Sequence, residues 1–495
     1  MPFFTEFRLR AAAVGLLLLL TWFYVSFDLS QLTQPDQGTF MAFGYHLLQG
    51  KTLYTDFFDH KPPAIYLLNA AIMGIGGVSE NAISWFALFC ALLQTFVFFR
   101  LAELLFKNLL SAFLIAGVFV LVFFRFELFG TGNFTEQYGA LCTSAGLLFF
   151  LAFTENGKWQ HLFLSGMLFG AAFAFKEPFL FSAVPYGLFL LFRKSELFKK
   201  LKETGLFAFA FLTPWLLVLV WMLWSGTLPG YAAHIEHSLQ YTKQGEPLWL
   251  KVTKYYRHFF SYTGFSATTG IWMYGTAFIL SFFSRVKRSW LFLILGQQLV
   301  DYIGTGMTGN GWHHYFMQSM PLMLLVFMLG LDGISGLVSK AVKLALRFAF
   351  VAFALFLLLV FFRTEPWKQM AFSPEKRRYD EIANYLQQYP KPVNLAVARQ
   401  ECGFYYVKLQ AVSPLKYAVP YPFHWVIADS VEKAHFLNEE RLRLEKNPPE
   451  FILTGHEYAQ LWIDAGMDKY AQQHYHRVSG QKLPDGTELW LMKRN

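Results

Sequence analysis

Apolar stretches recur along the chain as far as Arg363, centred near residues 18, 70, 93, 117, 145, 168, 186, 214, 276, 297, 325 and 354. Runs this long and this poor in charge can satisfy their backbone polar groups in a bilayer only as helices, since hydrocarbon offers no hydrogen-bond partners. Hydrophobic residues make up 55% of the chain and charged residues 15%, too few charges to cover the surface of a soluble protein. The net charge of +9 would suit a nucleic-acid binder. Here, however, Lys and Arg gather at the ends of apolar runs, which is the imprint of membrane insertion, so no nucleic-acid partner is expected.

The basic clusters orient the chain. Arg8 and Arg10 precede an apolar run from Ala11 to Phe27 that lacks a small-residue cleavage site and reads as a retained signal anchor. Lys107, Lys158, the run Arg193 to Lys202, Arg285-Lys287-Arg288 and Lys340-Lys343-Arg347 all fall on the cytoplasmic side if the stretch from Pro62 to Arg100 crosses once. The segment Pro62 to Gly77 is then an external interfacial helix, and the crossing runs from Ala82 to Leu105. The expected architecture is a polytopic α-helical membrane protein of about eleven spans in an inner or plasma membrane. Its N-terminus would be cytoplasmic, and its tail periplasmic or extracellular. Cys90, Cys142 and Cys402 are the only cysteines, and the first two lie in apolar segments, so no disulfide framework or cysteine metal site is expected.

From Thr364 the composition becomes that of an ordinary soluble protein. Tyr379 to Tyr389 reads as a helix, and Val393 to Ala398, Glu450 to Leu453 and Glu488 to Met492 read as strands. The expectation is two domains: a transmembrane domain over 1–363 and a small external α/β domain over 364–495.

Two loops look structured. In the first, Phe40, Phe43, Leu47 and Leu48 recur at helical spacing just after Pro35-Asp36-Gln37-Gly38. In the loop from Ser225 to Ser266, Leu248, Val252, Tyr255 and Phe259 form an apolar stripe interleaved with Lys251, Lys254, Arg257 and His258. That pattern suits a helix resting on the bilayer, and also a basic wall for a lipid phosphate that would include Arg257.

Several polar residues stand out against this background. Asp36 sits near the membrane surface, where partial desolvation raises the basicity of a carboxylate, but Asp before Gly38 and an apolar helix is also a good N-cap. Spacing leaves base and cap open. Lys61 lies in Asp59-His60-Lys61-Pro62-Pro63, where the prolines hold the backbone extended, so it can serve as a phosphate clamp or as a snorkelling lysine at a helix start. Asp59 and His60 are possible site-lining residues. Two adjacent ligands are weak grounds for a metal, so no cofactor is required and a divalent metal is unsupported.

Glu136, in Gly132-Asn133-Phe134-Thr135-Glu136, is an ionisable residue at the start of an apolar helix, either functional or complementing the helix dipole. The sequon at Asn133 abuts the membrane and reads as fortuitous. Lys176, in Phe175-Lys176-Glu177-Pro178, makes either a local ion pair in a turn or a second cation for a phosphate. Trp312-His313-His314-Tyr315-Phe316 precedes another apolar helix. With no nearby carboxylate except Asp301, contact with phosphate or sugar suits His313, His314 and Tyr315 better than metal, and spacing does not choose between the two histidines.

The Asp36 stretch followed by the Lys-Pro-Pro block resembles the first external loop of GT-C glycosyltransferases that use polyprenyl-phosphate sugars, in particular the bacterial protein mannosyltransferase and aminoarabinose transferase branch. The Gly132–Glu136 segment looks like the second external loop, and the His-Tyr-Phe block is similar to one in bacterial relatives. The resemblance implies that Asp36 is the catalytic base, that Lys61 contacts the donor phosphate and that Glu136 is a second acidic group. This sequence reads Asp-Gln where many relatives read Asp-Glu, so a second adjacent carboxylate is absent.

The function so implied is a membrane enzyme of the cell envelope. It would transfer a hexose or pentose from a polyprenyl-phosphate donor to a hydroxyl on a glycolipid, glycan or protein at the external face, with inversion. A lipid-linked glycan flippase would place charges in mid-membrane and show internal repeats, whereas here the distinctive charges gather in loops. A surface-polysaccharide ligase or polymerase would share the lipid but use a pyrophosphate-linked donor.

Overall fold

A computed structural model describes residues 2–28, 35–130, 132–243, 247–262, 267–307, 312–339, 380–399, 402–420, 430–482 and 488–495. The expected span near residue 354 and the expected domain boundary at 363/364 lie outside the described residues. Packing divides the chain into two compact units. One comprises Met1–Gln31, Ala87–Leu217 and Gly245–Trp367; the other comprises Leu32–Phe86, Val218–Gln244 and Lys368–Asn495.

The first unit is helical. Along the whole chain, among the described residues, Glu6–Ser26, Glu80–Phe106, Thr135–Asn156 and Leu197–Trp224 are long and apolar enough to cross a membrane; the shorter apolar helices are Leu109–Phe123, Trp159–Phe175, Glu177–Phe192 and Met320–Ser335 in this unit and Ala64–Gly76 in the other. The helix anticipated at Ala82 to Leu105 is therefore present as Glu80–Phe106. Aromatic rings fill the core: Phe98 stacks on Phe119 at 4.0 Å, and Tyr186 meets Phe169 at 4.5 Å and Phe150 at 4.8 Å. Without a hydrophobic driving force between helices in lipid, close backbone approach has to supply the attraction. Gly166 does this in the Trp159–Phe175 helix, where a Cβ would meet Phe207 O at 2.6 Å.

The second unit is built around a five-stranded sheet ordered β2-β1-β3-β5-β4. β1 (Val393–Val397) pairs in parallel with β2 (Ala411–Val412) and with β3 (Phe451–Gly455). β5 (Glu488–Arg494) runs antiparallel between β3 and β4 (Tyr475–Lys482). β3 is buried at every position, as a central strand covered on both faces requires. Trp462, Leu444, Leu415 and Met467 pack under the sheet with Ala396 and Ile452. The expected helix is present as Asp380–Leu386.

The first loop folds into this same unit. It forms two helices, Pro35–Leu48 and Ala64–Gly76, pressed together at Gly44, where a Cβ would lie 2.6 Å from that of Asn69. His46 joins the first of these helices to the sheet. Its Nδ1 lies 2.7 Å from Ala42 O and must donate there, while Nε2 accepts the Ser413 N–H at 3.0 Å. Burial drives the imidazole pKa down to about 4, against the Ala42 bond, which raises it.

This arrangement needs neutral His46, and the sign of the pH effect follows. A histidine whose folded pKa is depressed contributes stability that is full above its unfolded pKa, about 6.5, and is lost as pH falls through about 4. The contribution is at most about 3 kcal/mol. The thermal midpoint of the full-length protein should therefore exceed that of His46→Gln by a margin that shrinks between pH 6.5 and 4. A margin independent of pH would contradict the neutral clasp.

Candidate active site

Asp36 is the second residue of the Pro35–Leu48 helix. It therefore lies within the first turn of that helix. Proline at the first position suits a helix start because its missing N–H would have been unpaired there anyway. Asp36, Thr39, Phe43, Phe58, Asp59, His60, Lys61 and Val419 line one pocket, so the structure brings the candidate base and the candidate phosphate clamp together.

The turn carrying Lys61 is held by a buried carboxylate. Asp59 Oδ2 accepts the Tyr66 hydroxyl at 2.5 Å, and Oδ1 accepts the His60 backbone N–H at 2.7 Å with His60 Nδ1 at 2.9 Å. Tyr54 donates its hydroxyl to the Lys61 carbonyl at 2.6 Å, which fixes the lysine backbone. Burial alone would raise the Asp59 pKa. The neighbouring His60 and Lys61 charges, with the His60 and Tyr66 hydrogen bonds, outweigh it and hold the carboxyl well below the usual range. Tyr66 moves the opposite way, pushed up by burial and by Asp59. His60 is lowered by burial and Lys61 against the pull of Asp59 and Asp36. Asp59 is thus a charged group around which His60 and Tyr66 are arranged. Among the described residues no three His, Cys, Asp or Glu side chains converge as a ligand set.

The second group of candidates lies in the helical unit. Glu136 is also the second residue of its helix, Thr135–Asn156, and is 2% exposed. Lys176 donates to Glu136 Oε1, and Thr135 donates to Oε2 at 2.8 Å. Lys176 thus pairs with Glu136, 40 residues away in sequence. Its Nζ also sits 3.2 Å from the centre of the Tyr315 ring, a cation–π contact.

His314 joins this group, its Nε2 4.0 Å from Glu136 Oε1 and its ring stacked on Phe134 at 4.4 Å and 2°. The expectation that only Asp301 could accompany the histidines is therefore corrected: the carboxylate beside His314 is Glu136. Asp301 instead accepts from Ser182, from Gln297 at 3.1 Å and from Gln318 at 3.3 Å. His313 is half-buried in the short helix His313–Met317, and Arg257 is exposed on the Leu248–Tyr262 helix. The Asn133 side chain is buried and accepts from Tyr138 at 3.0 Å, which removes it as a glycosylation acceptor.

Sequence reasoning missed Tyr66, Tyr54 and Val419. Tyr66 follows Lys61 by little more than one helical turn, a signal available in principle. Val419 is brought to the pocket by long-range folding and had no local signal.

Comparison with known proteins bears on this geometry. The family model for dolichyl-phosphate-mannose-protein mannosyltransferase matches residues 60–224. No curated protein sequence matches the chain. Among solved structures, ArnT from Cupriavidus metallidurans bound to undecaprenyl phosphate is similar with a TM-score of 0.59 at 13% identity, over 97% of each chain. The same protein in the apo state gives 0.56 at 11% identity, again over 97% of each. The Archaeoglobus fulgidus oligosaccharyltransferase tethered with an acceptor peptide gives 0.51 at 11% identity, over 97% of this chain and 74% of that one. The chain therefore has the GT-C membrane-glycosyltransferase fold, and residues 60–224 carry the pattern of the dolichyl-phosphate-mannose-protein mannosyltransferase family.

Proposed function

We propose that this protein is a membrane glycosyltransferase that moves a hexose or pentose from a polyprenyl-phosphate donor to an acceptor hydroxyl. The observation that carries the reading is the single pocket lined by both Asp36 and Lys61. The fold likeness to a structure holding undecaprenyl phosphate supports the choice of lipid. In one displacement, Asp36 accepts the hydroxyl proton while the acceptor oxygen bonds to the sugar's anomeric carbon. The bond from that carbon to the phosphate oxygen breaks, with inversion, and the lipid phosphate leaves carrying the electron pair. Lys61 offsets the charge that develops on the leaving phosphate. Glu136 is assigned as a second acidic group, and Lys176, His314 and Tyr315 as further contacts for the donor.

The N-terminus is proposed to be cytoplasmic and the sheet-bearing unit external, in keeping with the basic clusters. A reporter active only outside the membrane should work when fused after Arg363 and fail after Lys199. The reverse pattern would overturn the orientation.

Turnover is best measured in lipid nanodiscs with a panel of undecaprenyl-phosphate monosaccharides, using cell-envelope glycolipid, glycan and protein extracts as acceptors. Asp36→Asn keeps size and helix-start chemistry but removes the base. It should bind undecaprenyl phosphate like the parent and transfer sugar at least ~100-fold more slowly. Normal transfer by this variant would sink the mechanism. Lys61→Ala should instead weaken donor use, losing a charge-assisted contact worth roughly 1.5–3 kcal/mol whatever the acceptor. Parental donor affinity and turnover in Lys61→Ala would remove the phosphate role.

A further inference from the structure

The geometry points to residues 402–419, in the chain's C-terminal third, as part of the active site: they fix the helix that carries Asp36 and supply one wall of its pocket. This inference rests on the glycosyl-transfer reading above and gives the C-terminal region a role in the chemistry.

Three contacts carry it. First, two glycines let backbone meet backbone beside Asp36. A Cβ on Gly38 would lie 2.9 Å from Phe404 N, and one on Gly403 would lie 3.1 Å from Gly38 C and 3.2 Å from Thr39 N. At the Gly38 distance something has to shift, and at the Gly403 distances the neighbour has to give by a few tenths of an ångström; backbone gives way less readily than a flexible side chain. Second, Ser413 is clasped at both polar groups by the first loop: its N–H by His46 and its carbonyl by Lys51 Nζ at 2.5 Å. Third, the Phe58 N–H donates to the Lys416 carbonyl at 2.9 Å, immediately before Asp59-His60-Lys61. Between these anchors Val419 reaches the pocket itself, and among the described residues it is the one lining residue that does not come from the first loop.

The anchors divide the labour in a way that can be measured. Asp36 is two residues from Gly38 and depends on the Gly403 contact. The Lys61 turn is held independently by Tyr54 and by the Asp59–Tyr66 bond. Catalysis by a positioned base falls steeply with misplacement, about 100-fold for 1 Å, whereas a charge-assisted phosphate contact tolerates more. Gly403 is therefore a positioning residue for Asp36. Val419 faces the space that the reacting groups occupy.

The test uses the full chain in nanodiscs, with undecaprenyl phosphate as the binding probe and the undecaprenyl-phosphate sugar that the parent turns over as substrate. Gly403→Val should lower kcat by about 10- to 100-fold, with Gly403→Ala between it and the parent, while affinity for undecaprenyl phosphate stays within about twofold. Val419→Ala, which removes volume and cannot clash, should shift the acceptor KM by several-fold with the same affinity for undecaprenyl phosphate. If Gly403→Val does not accumulate, Gly403→Ala and Val419→Ala decide the matter.

Parental kcat in the Gly403 variants together with parental acceptor KM in Val419→Ala would overturn the inference. So would loss of undecaprenyl phosphate binding and thermal stability in step with turnover, the mark of a purely structural contact. A parent that neither binds undecaprenyl phosphate nor transfers any sugar would instead overturn the functional reading. The positioning contact would then be decided by amide exchange over residues 36–48, which Gly403→Val should accelerate and which an unchanged rate would refute.

Discussion

A bilayer forbids unsatisfied backbone and isolated charge, and that constraint shapes where this chain can keep its chemistry. Both candidate acids obey it in the same way. Asp36 and Glu136 are each the second residue of a helix, where unpaired N–H groups and the positive end of the helix dipole favour an anion. Neither interrupts an apolar run. These two acids thus sit at helix starts, whereas Asp301 lies within the Arg288–Gly306 helix and is held there by Ser182, Gln297 and Gln318.

Charge in these places is kept in balance by partners. In the sheet-bearing unit, Asp59 is the fixed anion against which His60, Tyr66 and the Lys61 turn are arranged. In the helical unit, Glu136 is matched by Lys176, with His314 and Tyr315 packed around the pair. A buried ion pair is not by itself a source of stability, since desolvation of both charges offsets the attraction. Here Thr135 and the Tyr315 ring add a hydrogen bond and a cation–π contact to the pair, which offset part of that cost. Asp59 is held charged by its neighbours and lines the same pocket as Asp36, Lys61 and Thr39.

Much of this was legible in the residues. Helical periodicity located Pro35–Leu48 and Leu248–Tyr262, the placement of basic clusters located Ala64–Gly76, and short strand-like runs located β1, β3 and β5. β2 has two residues and β4 reads Tyr-His-Arg-Val-Ser-Gly-Gln-Lys, a polar edge strand without an apolar face, so neither left a periodic trace. The pairing of Glu136 with Lys176 and His314 was not legible, because nothing local marks residues that meet only after helices pack. The seam of the first loop with residues 402–419 was hidden for a further reason. It is made by backbone at Gly38, Gly403, Phe58 and Lys416, and apart from the two glycines these contacts impose almost no requirement on side-chain identity. What the resemblance to GT-C enzymes added was the roles of Asp36 and Lys61, which spacing alone left open between chemistry and helix capping or snorkelling.

The claim at the centre of this account is that a lipid phosphate docks at the Lys61 turn with Asp36 across the same pocket. A cryo-electron microscopy map of the full-length protein in nanodiscs with undecaprenyl phosphate measures that directly. The account predicts phosphate density within charge-assisted hydrogen-bond reach of Lys61 Nζ, about 2.7–2.9 Å, with the lipid chain leading away from the pocket. Density for the phosphate at a site that excludes Lys61, with the Asp36 pocket unchanged, would contradict it.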